Sequence, residues 1–296
     1  MDKAEALDIA GVGHVHAWGN PGKPLVVLLH GFMQTGLSWQ QVAPLLDDRY
    51  VLAPDLLGHG KTPFTQEDYL GLGDYVEQVH TLIVWARNTG LTGKTESIDL
   101  VGYSLGGRIA ALYATLYPQD IAHLVLESAG LGPRNSEERA QRAQKSAQMI
   151  ARLDASAAAD SRAPLSAFVD WWESLPLFAS QTELPASLRA NIREERLAND
   201  PAALRRNLEN AGQQKMDDLR PALVNLNKPL LYLVGERDVA YTEIARSLMR
   251  AWALEHDETS ALRIGSVQVN VIPQAGHNAH LESPEEYART VAAFLR

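Results

Sequence analysis

A serine flanked by glycines is the strongest chemical feature of this 296-residue chain. The segment Gly102-Tyr103-Ser104-Leu105-Gly106 lies between a short apolar run, Ile98 to Val101, and good helix formers from Ile109 to Ala114. This order of strand, sharp turn and helix is typical of a nucleophile elbow, which lifts a serine hydroxyl above the edge of a sheet. The turn is too tight for side chains two residues away, which explains the glycines. The pattern alone also fits a glycine-rich loop without chemistry, so the prediction depends on partner residues.

A serine hydroxyl becomes reactive when an imidazole takes its proton and a carboxylate orients that imidazole. In proteins with a nucleophile elbow the three groups follow in the order Ser, acid, His, each in a loop after a strand. Asp238 follows the apolar run Pro229 to Val234, and His277 follows the run Val267 to Ile272. We therefore predict that Ser104, Asp238 and His277 are catalytic.

Other residues compete for two of these roles. Glu236 is an alternative acid, whereas Asp55 would break the chain order. His280 competes with His277, but Gly276 allows the loop before His277 to approach the elbow closely. We favour His277 for that reason.

The loop after the first apolar strand predicts an oxyanion hole. Leu25 to Leu29 is continuously apolar, as expected for a strand covered on both faces of a largely parallel sheet. It ends at His30-Gly31-Phe32, where enzymes with an elbow place one N–H donor, and the residue after the nucleophile supplies the other. We predict that the backbone N–H groups of Phe32 and Leu105 bind an oxygen anion. We interpret His30 as a structural residue that bonds to loop carbonyls.

Strand and helix patterns alternate over two parts of the chain and predict the fold. Strands are expected at Leu25–Leu29, Tyr50–Pro54, Ile98–Val101, Ile121–Leu126, Pro229–Val234 and Val267–Ile272, with helices from Asp74 to Asn88, around Thr242 to Trp252 and from Pro284. This alternation predicts an α/β fold with a mostly parallel central sheet flanked by helices. Residues 131–216 have no strand-like run and are rich in Ala, Arg, Glu and Gln. They predict an inserted helical lid on a core of residues 1–130 and 217–296.

The sequence also predicts an early hairpin and a late surface loop. Val12 to Trp18 alternates and Pro21-Gly22-Lys23-Pro24 is a turn, which predicts an early hairpin. The stretch from Glu255 to Gly265 separates the last predicted helix and strand of the sheet, and we interpret it as a surface loop.

Composition excludes several classes of protein. The chain has 46% hydrophobic and 21% charged residues, as globular proteins do, and no apolar run approaches the ~20 residues of a membrane span. Zero cysteines exclude disulfides, thiolate catalysis and zinc–thiolate sites. A net charge of −9 without a basic stripe argues against nucleic acid as a partner. The charged start, with no signal-like apolar stretch, predicts a cytoplasmic protein that binds no membrane.

A metal site is a weaker alternative for the histidines. His14 and His16 lie on one alternating stretch near the start, and His277-x-x-His280 lacks an adjacent carboxylate motif. We therefore expect neither a metal nor another cofactor.

The basic residues indicate a negatively charged substrate. Arg108 follows Ser104 by four residues on the same predicted helix, so both side chains project from one face. An arginine beside a nucleophile suits a substrate carboxylate, although it could equally bond to backbone or to a nearby acid. Residues 131–216 contain 12 Lys/Arg and 11 Asp/Glu, against 27 and 36 in the whole chain. A nearly neutral lid over an acidic body could focus anions into the cleft between them.

These motifs resemble the α/β-hydrolase-fold family over nearly the whole chain. The resemblance rests on His30-Gly31-Phe32, Asp55 to Gly60, the elbow and Ala275-Gly276-His277. A narrower set of motifs resembles the SHCHC synthase family of menaquinone biosynthesis (MenH): Gly102 to Arg108, Asn135 to Arg142, Asp170-Trp171 with Leu177 to Ser180, Gly235 to Asp238, and Gly276 to His280. The motifs in the lid are the most specific, because lids usually diverge among hydrolases.

The narrower resemblance implies a lyase that uses a hydrolase triad without a cofactor. In that family the triad serine acts as a base: it removes a ring proton from a polycarboxylated cyclohexene, and pyruvate is expelled. Carried over by position, the triad is Ser104, Asp238 and His277, with Phe32 and Leu105 as the oxyanion hole. The family's substrate-binding positions correspond to Arg108, Arg142 and Arg196 for the carboxylates and to Tyr103 and Trp171 for the pocket wall.

Two other functions would use the same residues. A carboxylester or carbon–carbon bond hydrolase would use the triad for nucleophilic attack on a carbonyl. A non-catalytic binding protein of this fold is the third hypothesis, which the intact triad disfavours. Hydrolysis of a simple ester such as p-nitrophenyl acetate would distinguish the hydrolase from the lyase.

Overall fold

The computed structural model describes residues 4–65, 69–91, 97–160, 162–255 and 266–296. Within these ranges the chain forms an eight-stranded sheet in the spatial order β1-β2-β4-β3-β5-β6-β7-β8. The strands are β1 (Glu5–Ile9), β2 (Gly13–Trp18), β3 (Leu25–Leu29), β4 (Tyr50–Pro54), β5 (Ile98–Tyr103), β6 (Ile121–Glu127), β7 (Leu230–Gly235) and β8 (Val267–Ile272). The strands from β4 across to β8 pair in parallel, and β1 and β2 add an antiparallel edge. The predicted α/β fold with a mostly parallel sheet is confirmed.

The start of the chain differs from the prediction. β1 and β2 form the hairpin, with Ile9 opposite Gly13. The predicted turn at Pro21 to Pro24 joins β2 to β3 without closing a hairpin, because β4 lies between these strands and pairs with both. The alternation of β2 indicated a strand, but its partner on the other side, β4, comes later in the chain and could not be identified locally.

Helices cover both faces of the sheet. Alternate residues of β3 point to opposite faces, so Val27 joins one apolar cluster with residues of the first two helices, and Val26 joins another with Tyr287 of the last. The helices are α1 (Leu72–Asn88), α2 (Leu105–Leu116), α3 (Ser136–Ala159), α4 (Ser166–Glu173), α5 (Ala186–Leu197), α6 (Pro201–Asn210), α7 (Arg220–Val224), α8 (Val239–Glu255), α9 (Ala279–Glu282) and α10 (Pro284–Phe294). Burial on both faces explains why β3 is continuously apolar.

Helices α3 to α6, which we call the helical insertion (residues 136–210), lie between β6 and β7. Asn135 caps α3 by accepting the Glu138 N–H at 2.9 Å, which satisfies one free donor of the first turn. A separate apolar cluster packs the insertion, with Phe168 and Leu204 among its members, against Met33 of the body. The described residues of 131–216 contain no strand. The division into core and lid at residues 131 and 216 remains a prediction.

Two further points concern the limits of the elements. No helix in the described ranges is long and apolar enough to cross a membrane. α8 ends at Glu255 and β8 begins at Val267. Apart from Glu255, the surface loop predicted from Glu255 to Gly265 lies outside the described residues.

Candidate active site

Ser104 occupies a strained turn between β5 and α2. Its backbone has φ 50° and ψ −103°, a conformation that costs a non-glycine residue about 1–3 kcal/mol. The fold holds it there, since the Ser104 N–H donates to the Glu127 carbonyl of the neighbouring strand at 2.9 Å. A Cβ at Gly102 would collide with the Gly106 carbonyl oxygen, and one at Gly106 with that of Leu29. The geometry of a nucleophile elbow is therefore present.

His277 and Asp238 form a buried hydrogen-bonded pair. His277 Nδ1 lies 2.7 Å from Asp238 Oδ2, and the two residues are 2% and 4% exposed. An ionised carboxylate can only accept, so Nδ1 carries the proton and Nε2 is left to take another. Asp238 Oδ2 also accepts the Ser128 hydroxyl at 2.8 Å. Because Ser104 and His277 line the same cavity, the structure brings the three predicted residues to one place.

The competing acid and base are engaged elsewhere. Glu236 is exposed and accepts the Gln274 N–H at 2.8 Å. His280 Nδ1 lies 2.8 Å from Glu127 Oε2, and both of these side chains are fully buried. Neither Glu236 nor His280 is among the described residues that line the cavity. The geometry therefore favours Asp238 and His277.

The predicted oxyanion-hole donors are available. Among the described residues, the backbone N–H groups of Phe32 and Leu105 have no hydrogen-bond acceptor. Leu105 is the first residue of α2, and the first N–H groups of a helix have no partner within it. The Gly106 N–H donates to the His30 carbonyl at 3.0 Å and so ties the elbow to the loop that carries Phe32. Both N–H groups are therefore free to bind an acceptor, as the predicted oxyanion hole requires.

A cavity of about 1010 Å³ opens beside Ser104 and His277, and much of its wall comes from the helical insertion. Five lining residues are cationic, and no described lining residue is acidic; the cations are Arg108, Arg142, Lys145, Arg152 and Arg196. Aromatic rings complete the wall: Phe32, Tyr103, Trp171, Trp172, Phe178 and Tyr241. In a chain of net charge −9, this local excess of positive charge favours an anionic ligand.

Arg108 is buried in the cavity wall without a carboxylate partner among the described residues. Its guanidinium donates to the backbone carbonyl of Ala211. Burial lowers the pKa of Arg108 to about 10, so the side chain remains charged at neutral pH. An unpaired buried charge is costly, and a ligand carboxylate would supply the partner. Arg142 lines the same wall, and it too has no ion pair within the described ranges.

Arg196 lines the cavity with its charge already matched. The residue is 4% exposed, and its guanidinium donates to Glu173 Oε1 and to Gln181 Oε1, each at 3.0 Å. It also lies 5.3 Å from the centre of the Phe178 ring. The substrate-binding role predicted for Arg196 therefore competes with an internal ion pair.

Several contacts at the site were not predicted from the sequence. Ser128 supports Asp238, and the buried Glu127–His280 pair lies behind the elbow. Glu127 and Ser128 stand at the carboxyl end of β6, so polar residues at a strand end were the available signal. Lys145 and Arg152 also line the cavity. The only signal for them in the sequence was their helical spacing from Arg142, which had been predicted to bind substrate.

His30 has the structural role expected of it. Burial, together with the nearby His59, lowers the pKa of His30 to about 3, so its ring is neutral. Nδ1 donates to the Gly31 carbonyl at 2.8 Å, and Nε2 accepts the Leu56 N–H at 2.9 Å. These bonds fix the loop that carries the first oxyanion donor.

One group of residues could hold a metal ion. The ligand atoms of His14, His16 and Asp55 lie within 4.8 Å of one another. Asp55 already accepts the His16 Nε2–H at 3.2 Å and the N–H groups of Gly36 and Lys61, each at 2.8 Å. None of these three potential ligands belongs to the described lining of the cavity. Hydrogen bonds account for His16 and Asp55, whereas His14 Nε2 is buried without a partner among the described residues. The group lies apart from the candidate active site.

Comparison with known proteins agrees with this fold. A sequence model described as "Alpha/beta hydrolase family" matches residues 26–290, so the chain belongs to the alpha/beta hydrolase family.

More similar relatives narrow this class. A 2-succinyl-6-hydroxy-2,4-cyclohexadiene-1-carboxylate synthase of Enterobacter sp. (strain 638) is 32% identical over 284 residues, covering 94% of each chain. The protein of the same name from Escherichia coli (strain K12 / DH10B) is 31% identical over 279 residues, covering 94% of this chain and 96% of the relative. The solved structure of MenH from S. aureus superposes with a TM-score of 0.81 at 26% identity, covering 95% of this chain and 97% of that one. Within its class, the chain belongs to the family of these synthases.

Proposed function

We propose that this protein eliminates pyruvate from 2-succinyl-5-enolpyruvyl-6-hydroxy-3-cyclohexene-1-carboxylate and forms 2-succinyl-6-hydroxy-2,4-cyclohexadiene-1-carboxylate, a step of menaquinone biosynthesis. The reaction is that of a carbon–oxygen lyase. The names of the relatives support the product.

The observation that carries the proposal is the charge of the cavity. Five cationic side chains and no described acidic one surround the space beside Ser104. The substrate has three carboxylates, on the ring, the succinyl arm and the enolpyruvyl group. In the proposal Arg108 and Arg142 bind two of them, and Tyr103 and Trp171 line the wall beside the ring.

The two chemical names define the bond changes. The double bond of the substrate joins C3 and C4, and the product has double bonds from C2 and C4, so a proton leaves C2 and the enolpyruvyl group leaves C5. The C2–H electron pair forms the C2–C3 double bond, the old double bond shifts to C4–C5, and the C5–O bond breaks towards oxygen. Enolpyruvate then takes up a proton and becomes pyruvate. The step balances without oxidation or reduction.

Each site residue has a role in this proposal. Ser104 acts as the base once His277 Nε2 has taken its hydroxyl proton, and Asp238 stabilises the imidazolium that forms. As C2 loses its proton, negative charge spreads to the succinyl ketone oxygen, where the N–H groups of Phe32 and Leu105 stabilise it. The imidazolium then supplies the proton that enolpyruvate needs.

The direct test is release of pyruvate from the intact substrate, followed with lactate dehydrogenase through the loss of NADH. We expect turnover by the wild type and a fall in kcat of about 10³-fold or more for Ser104→Ala, because the base is removed. Ser174→Ala, an exposed serine at the end of α4, serves as the control and should keep full activity. Absence of pyruvate release by folded wild-type protein would contradict the proposal.

A carboxylester or carbon–carbon bond hydrolase is the second candidate. It is supported by the paired His277 and Asp238 and by the free oxyanion donors, which suit nucleophilic attack on a carbonyl equally well. Rapid hydrolysis of p-nitrophenyl acetate, unchanged in Arg108→Ala, would favour this candidate, since an apolar ester does not need that cation.

Three further predictions belong to the proposal. Residues 131–216 act as a lid over a core of residues 1–130 and 217–296. The enzyme acts in the cytoplasm on a small polycarboxylate, with neither nucleic acid nor membrane as a partner. Arg196 contributes to substrate binding only as far as its ion pair with Glu173 allows.

A further inference from the structure

The proposed substrate has more carboxylates than the described part of the cavity has arginines without acidic partners. Three carboxylates have to be accommodated, and Arg108 and Arg142 are two cations without acidic partners in the described ranges. The third arginine expected there, Arg196, already bonds to Glu173. Among the described residues, one carboxylate of the substrate is therefore left without an unpaired arginine at the inner end of the cavity.

Helix α3 presents two more cations to the same cavity. Lys145, Met149 and Arg152 follow Arg142 at spacings of three, four and three residues, so all four lie on one face of the helix, and all four line the cavity. Lys145 and Arg152 are exposed, whereas Arg142 is partly buried and Arg108 is buried. Neither Lys145 nor Arg152 has an ion pair among the described residues. The face therefore continues the positive charge outward from Ser104.

Trp171 orients one of these outer cations. The Arg152 guanidinium carbon lies 4.7 Å from the centre of the Trp171 ring. Stacking on an aromatic ring uses the flat face of a guanidinium and leaves the N–H groups along its edge free for a carboxylate. Arg152 is thus held in position, and its N–H groups have no acceptor among the described residues.

We propose that Lys145 and Arg152 form an outer carboxylate site that binds the end of the substrate's succinyl arm. This inference rests on the proposed function and deepens it. The succinyl ketone has to lie at the Phe32 and Leu105 N–H groups when the C2 proton leaves. Two methylene groups separate that ketone from the arm's carboxylate, which can therefore extend away from Ser104 along α3.

The test uses a stable probe that needs no turnover. 2-Succinylbenzoate keeps the ring carboxylate and the succinyl arm but has no leaving group, and benzoate lacks the arm. We expect Arg152→Ala to raise the Kd of 2-succinylbenzoate about 10-fold, as loss of a charge-assisted hydrogen-bond partner does. Lys145→Ala should raise it about 3-fold, since an ammonium on a flexible stem does not offer the paired N–H groups with which a guanidinium binds a carboxylate. The Kd of benzoate should change less than about 2-fold in either variant.

A matched control and a kinetic measurement complete the test. Arg189→Ala removes an exposed arginine of α5 that is not among the described lining residues, and it should leave both Kd values unchanged. The double variant Lys145→Ala/Arg152→Ala should raise KM for the full substrate about 30-fold with kcat within about 2-fold, because the outer site binds substrate and transition state alike.

Failure of the outer site is distinguishable from failure of the reaction. Unchanged affinity of the double variant for 2-succinylbenzoate, or an equal loss of affinity for benzoate, overturns the outer site even if the wild type releases pyruvate. Absence of pyruvate release by the wild type overturns the proposed reaction, whatever the probe affinities are.

Discussion

Two regions of the cavity differ in how their charged groups are paired. We call them the floor, which is formed by Ser104, His277 and Asp238, and the helical wall, which is formed by α3. On the floor, His277 and Asp238 are hydrogen-bonded to each other in the absence of any ligand. On the wall, Arg142, Lys145 and Arg152 line the cavity without acidic partners among the described residues. In the proposed function, residues after the strands of the sheet carry out the proton transfers, and cations of the insertion bind the anionic substrate. The proposal therefore assigns the reaction type to the body and much of the substrate choice to the insertion.

The largest effect should follow from breaking the floor. Asp238→Asn keeps the size of the side chain but no longer fixes His277 with its proton on Nδ1, so we expect kcat to fall about 10⁴-fold. Pyruvate release measures the loss, and thermal unfolding checks that the variant is folded. Glu236→Gln, two residues earlier and exposed, is the control and should retain activity. The reverse result would make Glu236 the acid.

The next largest effect should come from Arg108, the buried cation that α2 of the body adds to the cavity lining. Arg108→Met removes the charge while filling similar space, and we expect kcat/KM to fall about 10²-fold because a substrate carboxylate loses its partner. The same variant should not lower the melting temperature, since it removes a buried charge that has no acidic partner among the described residues. A loss of stability without a change in kcat/KM would mean that Arg108 serves the fold alone.

Much of the floor could be predicted from the sequence, because it consists of short local patterns repeated at strand ends. β8 has the predicted bounds, Val267–Ile272. α8 begins at Val239, three residues before the predicted start. Asp238 explains this difference, because its Oδ1 accepts the Tyr241 N–H and so caps the helix in addition to holding His277.

The wall was less predictable because its charges are matched by contacts between separate helices. Helical spacing brings Arg142 and Arg152 to one face. It cannot show that Arg196 is bonded by Glu173, 23 residues earlier, while Arg152 is left to stack on Trp171. Likewise, no local pattern links Ser128 to Asp238, 110 residues away. Pairings of this kind depend on the tertiary fold.

A third prediction concerns a contact between body and insertion. Glu195 Oε1 accepts the Thr35 N–H at 2.5 Å and the Thr35 hydroxyl, and burial raises the pKa of Glu195 from 4.5 to about 7. At pH values between 4.5 and about 7, the Glu195 carboxyl is ionised in the unfolded chain and protonated in the folded chain. The free energy of unfolding therefore falls as the pH rises towards 7. The loss is about 3 kcal/mol once both states are ionised.

Glu195→Gln keeps the acceptor and removes this titration. We therefore expect the variant to exceed the wild type in free energy of unfolding by about 3 kcal/mol at pH 8 and to match it at pH 4. Urea unfolding at the two pH values measures the difference. Glu194→Gln, its exposed neighbour, should show no such dependence. A Glu195→Gln protein less stable than the wild type at pH 8 would mean that the ionised carboxylate holds the insertion in place.

The smallest effect tests whether the floor depends on a residue that the sequence did not reveal. Ser128→Ala removes one of the two donors to Asp238 Oδ2, and we expect kcat to fall about 10-fold with KM unchanged, as for a lost hydrogen bond to a charged group. Ser156→Ala is the matched control, because this buried hydroxyl accepts the Phe168 N–H within the insertion, away from the floor. Comparable losses of stability in both variants, with kcat reduced only in Ser128→Ala, would show that Ser128 positions Asp238. If Ser128→Ala and Ser156→Ala have equal kcat values, the orientation of Asp238 depends on His277 and not on Ser128.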